Sequence, residues 1–315
     1  IYYRAGLVSL LAGDFDGAIS HFGVACIAAP ARVDIRLVAG QAHLSLKQYS
    51  RGIQSIVSIL SLNPSAHALG KARRMLQKGG ASAAGPLKPE VQTKLNRHLS
   101  SLERGEPTTG IFRELLLLTE QHLHSRVYTV AGMVALRLGA RDKAHGLLIR
   151  ASQLNEYSSD ALRILGTSYA ASNQWVKAFD PLSQAVKRNP FDAALLSVLA
   201  KAAEFLDESA IAVQQYKTLI ILEPLRSRHF LHLARSQRKL RKFSFARTSI
   251  KAGIELEATI PLVLEWAVIE AEHHKVCKDP GEKSEAKAGV EEAVNQLLKL
   301  SPKHPAAKTL LASLE

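Results

Sequence analysis

The chain has 315 residues, 47% of them hydrophobic, enough apolar material to bury a large core. It contains no run of about 18 apolar residues, which excludes a transmembrane helix in this stretch. The formal net charge of +13 would draw acidic proteins, nucleic acid or anionic lipid, although a basic soluble protein without such a partner carries the same charge.

Ile1 already falls inside a repeating pattern, so a fragment or a processed chain is expected, one that would lack any targeting segment. The prolines reveal the period. Pro30 and Pro64 lie 34 residues apart, as do Pro190 and Pro224, each after a helical stretch such as SILSLNP, QAVKRNP or LIILEP. Small pairs recur in the same register: Ala5-Gly6, Ala39-Gly40, Ala131-Gly132 and Leu165-Gly166, then Leu199-Ala200 and Leu233-Ala234. Twelve residues on stand Ala18, Gly52, Ala144, Ala178, Ala212 and Ala246, and four later Phe22, Ile56, Leu148, Leu182, Tyr216 and Ile250. Three residues after those come Ala25, Ile59, Ala151, Ala185, Leu219 and Gly253. Spacings of three and four put the last three sets on one helical face. The small pairs let a first helix approach a second, the large residues fill the space between, and the proline stops the second helix.

The unit resembles the tetratricopeptide repeat (TPR) family, most clearly in SDALRILGTSYAASNQWVKAFDPLSQAVKRNPFD at 159–192, with Leu162, Gly166, Tyr169, Ala178, Leu182, Ala185 and Pro190. Units in register are read at 1–32, 33–66, 125–158, 159–192, 193–226 and 227–260, with a looser one at 261–304, together about three quarters of the chain. The resemblance implies an all-α fold of the α-α superhelix class, a solenoid of antiparallel helix pairs. Glu156 and Ala258 stand where proline is usual.

Residues 65–124 do not hold the period. A helix over SAHALGKARRMLQK (65–78) is expected to cap a first block, 1–78. A flexible linker or hinge follows at 79–89, GGASAAGPLKP. The second block, 90–315, begins with helices at 90–103 and 109–123 separated by RGEPTTG; a degenerate repeat with an insertion is the alternative to the hinge. Further on, VCKDPGEKSEA (276–286) is expected to lengthen an interhelix loop by about ten residues, and PAAKTLLASLE (305–315) to form a terminal capping helix.

In the family the first helix of each unit lines a concave face where peptides or partner helices bind. Here that reading selects Arg126, Arg137, Arg163, Lys201, Arg228, Arg235, Arg238 and Lys239, with Met133, Leu136, Phe205 and Leu231 adding apolar surface and Asp160, Glu204, Glu265 and Glu272 breaking the sign. The mixture suits a protein partner with an acidic or amphipathic segment, since arginine makes paired hydrogen bonds to carboxylates. The strongest stretch is 224–254, with nine Lys or Arg and no acidic residue; it reads as a docking stripe, or as a solvated helix face. Some family members clasp a C-terminal carboxylate through Lys and Asn at set positions. Arg163, Thr167 and Val198 stand there instead, so chaperone-tail binding is not expected.

No phosphate loop, dinucleotide fingerprint, nucleophile elbow or H-E-x-x-H motif appears, so neither catalysis nor a cofactor is expected. His229 and His232 are near ligand spacing, and His122/His124 and His273/His274 are close in sequence, but no carboxylate motif joins them and no metal site is expected. Cys26 and Cys277 form neither a metal-type nor a redox-type pair, which suits free, buried thiols in a reducing, cytoplasmic-type compartment. The expected function is a non-catalytic interaction scaffold in a multiprotein assembly. Nucleic-acid binding through the basic face is an alternative for which aromatic residues are few, as is a basic face resting on anionic lipid. A targeting array attached to a larger enzyme, or to a component of an envelope or secretion assembly, is a third alternative.

Overall fold

The structure, a computed structural model, describes residues 1–106, 108–312 and 314, with Thr108 in its backbone only. Among these residues there are eighteen α-helices and no strand, which places the fold in the all-α, α-α superhelix class. The chain divides into two compact units, 1–198 and 199–315.

In the first unit α1 (Tyr2–Leu11) pairs with α2 (Phe15–Ala28), and α3 (Val33–Ser45) with α4 (Tyr49–Val57), which tightens into a 3₁₀ turn at Ser58–Leu62. A long single helix, α5 (Ala66–Ser82), precedes α6 (Pro89–Glu103) and α7 (Thr108–Gln121). Then come α8 (Ser125–Arg137) with α9 (Arg141–Leu154), and α10 (Asp160–Ala171) with α11 (Trp175–Arg188). α12 (Ala193–Phe205) is followed in the second unit by α13 (Ser209–Leu222), α14 (Ser227–Lys239) with α15 (Phe243–Leu256), α16 (Ile260–Val276) with α17 (Pro280–Leu300), and α18 (Ala306–Ala312).

Six of the turns that follow a first helix are three residues long, and the central residue of each is left-handed: Gly13, Lys47, Gly139, Asn173, Asp207 and Arg241. Each is followed by an N–H that reaches back five residues, as in Gln48 to His43 and Lys242 to Gln237. This satisfies carbonyls that the helix end leaves open. Gly105 takes the same conformation between α6 and α7 and stands 34 residues before Gly139. The turn of this pair therefore holds the period within a stretch where the sequence pattern shows none.

The register read from the sequence is the packing register. Ala18, Phe22, Ile56, Ile59, Ala144, Leu148, Ala178, Leu182, Ala185, Ala212, Leu219, Ala246 and Ile250 are all fully buried. A Cβ placed on Gly6, Gly40, Gly132 or Gly166 would lie 2.5–2.7 Å from a carbon of Phe22, Ile56, Leu148 or Leu182, each sixteen residues later. Glycine is thus what lets the two helices of a pair approach there. Five second helices end alike with or without proline, whereas the α4 segment ends at the left-handed Asn63. Ala29, Asn155, Asn189, Glu223 and Glu257 all leave helical angles, with φ between −135° and −161°, although Glu156 and Ala258 replace the usual residue.

Three expectations need correction. Residues 79–82 belong to α5 and not to a linker. Gly79 and Gly80 are buried: a Cβ on Gly79 would meet Leu44 at 2.9 Å, and one on Gly80 the Tyr157 carbonyl oxygen at 2.7 Å. The buried Asn155 side chain donates to the Gly80 carbonyl at 2.8 Å. These glycines serve packing, which composition alone cannot distinguish from flexibility. Residues 276–286 do not lengthen a loop either. α16 and α17 extend instead, leaving Cys277–Asp279 between them, because Asp279 caps α17 by accepting from the Glu282 N–H at 2.8 Å and Pro280 fits the first turn. The cysteines are free but only half-buried. The expected terminal helix 305–315 is seen as α18; Ser313 and Glu315, and Pro107 of the RGEPTTG segment, lie outside the described residues.

Candidate partner-binding surfaces

The first unit holds a cavity of about 480 Å³ walled by α6, α8, α10 and the segment after α5. It brings together Arg126, Met133 and Arg163 of the expected groove, with Val130, Ile164 and Leu99 as apolar lining. Arg126 is engaged, donating to Gln92 Oε1 and Asn96 Oδ1 on α6, each at 3.3 Å. The half-buried Arg163 guanidinium makes no hydrogen bond or ion pair with any described residue, and Asp160 lines the same wall. His124 sits at the rim. Its Nδ1 accepts from the Arg126 N–H at 3.1 Å, so its Nε2 carries the proton and donates to the Gly85 carbonyl at 3.2 Å. Arg137 is not in this cavity: it donates to the Leu102 carbonyl in the last turn of α6, closing a helix end.

In the second unit the expected docking stripe is largely neutralised from within. Arg235 and Arg238 donate to the two oxygens of Glu265, each at 2.8 Å, and Arg238 also pairs with Glu272. Burial lowers the Arg238 pKa, but the two carboxylates outweigh it and hold the guanidinium more firmly charged than usual. Lys239 reaches Asp207 at 2.8 Å. Arg247 makes a two-pronged pair with the buried Glu270, at 2.6 and 2.7 Å, and touches Glu285 at 2.9 Å. Leu231 is 8% exposed and belongs to the core with Ala234, Phe243 and Trp266. The acids come mainly from α16, about 30 residues on, so a count over 224–254 finds none. Lys201, Phe205 and Arg228 are exposed, and Arg228 lies 3.4 Å from His232.

The histidines close in sequence take separate partners. His229 bonds Glu223 at 2.8 Å, while His232 bonds Glu204 at 3.1 Å and stacks on Tyr216. His273, Cys277 and Glu282 do gather, with one potential ligand atom each within 4.8 Å of the others. However, Arg247 donates to His273 Nδ1 at 3.3 Å, which leaves the proton on Nε2. The Cys277 thiol is pushed up, first by its 3.1 Å hydrogen bond to Glu282, and stays protonated. Within the trio only Cys277 and Glu282 are hydrogen-bonded; His273 Nε2 stands 3.9 Å from Glu282.

Residues 129–193 match a family model described as tetratricopeptide repeat. That segment is thus similar to tetratricopeptide repeats. Among solved structures the chain is similar to YrrB, described as a TPR protein with an unusual peptide-binding site. The two share 13% identity over 63% of this chain and 96% of that one, with a TM-score of 0.50. It is also similar to the C-terminal part of a TPR repeat-containing protein from Cytophaga hutchinsonii, at 14% identity over 98% and 99% of the chains and a TM-score of 0.45. A third similar structure is MamA from Desulfovibrio magneticus RS-1, at 12% identity over 57% and 97%, with a TM-score of 0.43. No curated protein matches in sequence.

A second cavity, of about 550 Å³, involves none of the residues expected to bind. It lies between α3 and α5 and is lined by Lys47, Lys71, Arg74 and Lys78. A signal for it exists in the sequence: 35–89 carries eight Lys or Arg and no Asp or Glu.

Proposed function

We propose that this chain is a non-catalytic scaffold that holds a partner peptide or helix against its first helices as part of a multiprotein assembly. The observation that carries the reading is the cavity on α8 and α10, where the unpartnered Arg163 stands beside Met133 and Ile164. An amphipathic segment fits this chemistry: an apolar side chain on Met133 and Ile164, and a carboxylate on Arg163. The fold shared with YrrB is compatible with peptide binding but does not establish it here.

The test is capture of partners by the full chain, followed by crosslinking and mass spectrometry, and then titration of the captured segment. Arg163→Ala removes a charged hydrogen bond and is expected to weaken binding about tenfold to a hundredfold. Crosslinks that avoid α8 and α10, or an unchanged affinity, would refute the assignment.

A further inference from the structure

The net charge of +13 is not spread evenly. Between Asp34 and Glu90 there is no acidic residue, and 35–89, with eight Lys or Arg, is the longest stretch of the chain without one. The fold gathers four of them. Lys71, Arg74 and Lys78 recur at three- and four-residue spacing on one face of α5, and Lys47 projects from the left-handed turn between α3 and α4. All four line the 550 Å³ cavity, and among the described residues no carboxylate lines it with them. None of the four side chains makes a hydrogen bond or ion pair with a described residue, unlike the arginines of α14 and α15. Their neighbour Arg73, which faces elsewhere, is paired with Asp192 at 3.4 Å.

Leu44 and Met75 supply the apolar part of the lining, beside Gly79. Tyr49 also lines the cavity, but its ring lies 4.9 Å from that of Tyr157.

We infer that this cavity is a docking site for an acidic protein segment with an apolar anchor, distinct from the α8–α10 surface and independent of it. Charge complementarity selects the acid, and the Leu44–Met75 floor selects a side chain that nucleic acid and lipid headgroups lack. Single-stranded nucleic acid gains much of its affinity from stacking on free aromatic rings, and the one ring here already has a partner. A flat bilayer surface does not follow cations into a cavity between two helices.

The probe is a fluorescein-labelled twelve-residue peptide with six Glu and two Leu, titrated into the full chain by anisotropy at low and physiological salt. The same peptide with Gln for Glu, a twelve-nucleotide oligo(U) and phosphatidylserine vesicles serve as competitors. Binding of the acidic peptide is expected to weaken with salt. It is expected to fall roughly tenfold to thirtyfold in the triple variant Lys71→Gln, Arg74→Gln, Lys78→Gln, at about two- to threefold per exposed charge. Met75→Gln is expected to weaken it severalfold, and Arg163→Ala to leave it unchanged, which separates this site from the α8–α10 reading. The single variants carry the same test if the triple variant folds poorly. Equal binding of the Gln peptide, an unaffected triple variant, or tighter binding of oligo(U) or vesicles through the same residues would each overturn the inference.

Discussion

One substitution, glycine to alanine, should have opposite signs at two positions in neighbouring units. Gly146 lies on an exposed face of α9, and a Cβ there meets nothing within 4 Å. Only helix propensity acts, so Gly146→Ala is expected to stabilise by up to about 1 kcal/mol. Gly166 lies in α10, where a Cβ would sit 2.6 Å from Leu182 Cγ, 2.8 Å from its Cδ2 and 3.1 Å from its backbone nitrogen. Ordinary carbon contacts are about 3.5–4.0 Å, so the overlap approaches 1 Å. Turning the Leu182 side chain relieves only part of it, because the backbone contact remains. Overpacking of this kind costs roughly 1–3 kcal/mol, and propensity offsets about 1 kcal/mol. A net loss of about 1–2 kcal/mol is expected at the upper part of that range. In a unit of 198 residues this lowers the midpoint by about 2–8 °C, while Gly146→Ala raises it by a few degrees. Thermal and urea unfolding followed by circular dichroism at 222 nm reads both. The double variant Gly166→Ala, Leu182→Ala should be less destabilised than the sum of its singles, since each change makes room for the other. Equal shifts for Gly146→Ala and Gly166→Ala would refute the claim that close approach requires glycine at this register position.

The Arg247–Glu270 pair offers a second test. Glu270 is 1% exposed and also accepts from Trp266 Nε1 at 3.1 Å, so Arg247→Met leaves a buried carboxylate short of its main partner and should cost about 3–5 kcal/mol. Adding Glu270→Gln removes the stranded charge and should recover part of that loss in urea unfolding; no recovery would count against the pair as an electrostatic unit. Stability should also fall on mild acidification. Burial pushes the His98 and His145 pKa values below the usual 6.5, so near and below that pH the unfolded chain binds more protons than the folded one. Urea midpoints should therefore drop between pH 7.5 and 5.5, and His98→Asn with His145→Asn should flatten the slope.

The repeat was legible because its signal is local and redundant: Phe22, Ile56, Leu148 and Leu182 each recur with a glycine sixteen residues before and an alanine or isoleucine three residues after. Residues 65–124 were not, for a different reason in each part. α5 has no second helix to repeat, and its terminal glycines look like linker until Leu44 and Tyr157 are seen against them. α6 and α7 keep the turn glycine but not the small pair, since Arg97 and His98 stand in its place. The binding surface was the least legible. Arg126, Met133 and Arg163 of the expected groove line one cavity, yet helix periodicity carries no information on which arginines meet a carboxylate from another helix.

That last distinction decides where the surplus charge acts. In 224–254, Arg235, Arg238, Lys239 and Arg247 all meet carboxylates, several of them at buried positions. An acid aimed at Arg235, Arg238 or Arg247 would have to displace Glu265 or Glu270, each already desolvated and doubly bonded, and would recover little from the exchange. Lys47, Lys71, Arg74 and Lys78 have no such competitor: an acid arriving there gains their attraction and relieves their mutual repulsion. On the proposed reading, the paired arginines of the richest basic run are thus poorer docking groups than the cluster of Lys71, Arg74 and Lys78 on α5, which no carboxylate joins in its cavity. Reversing the charge of Lys71, Arg74 and Lys78 should therefore cut association with an acidic partner far more than reversing Arg235, Arg238 and Lys239. The latter change should appear chiefly as lost stability, because it sets like charges against Glu265, Glu272 and Asp207.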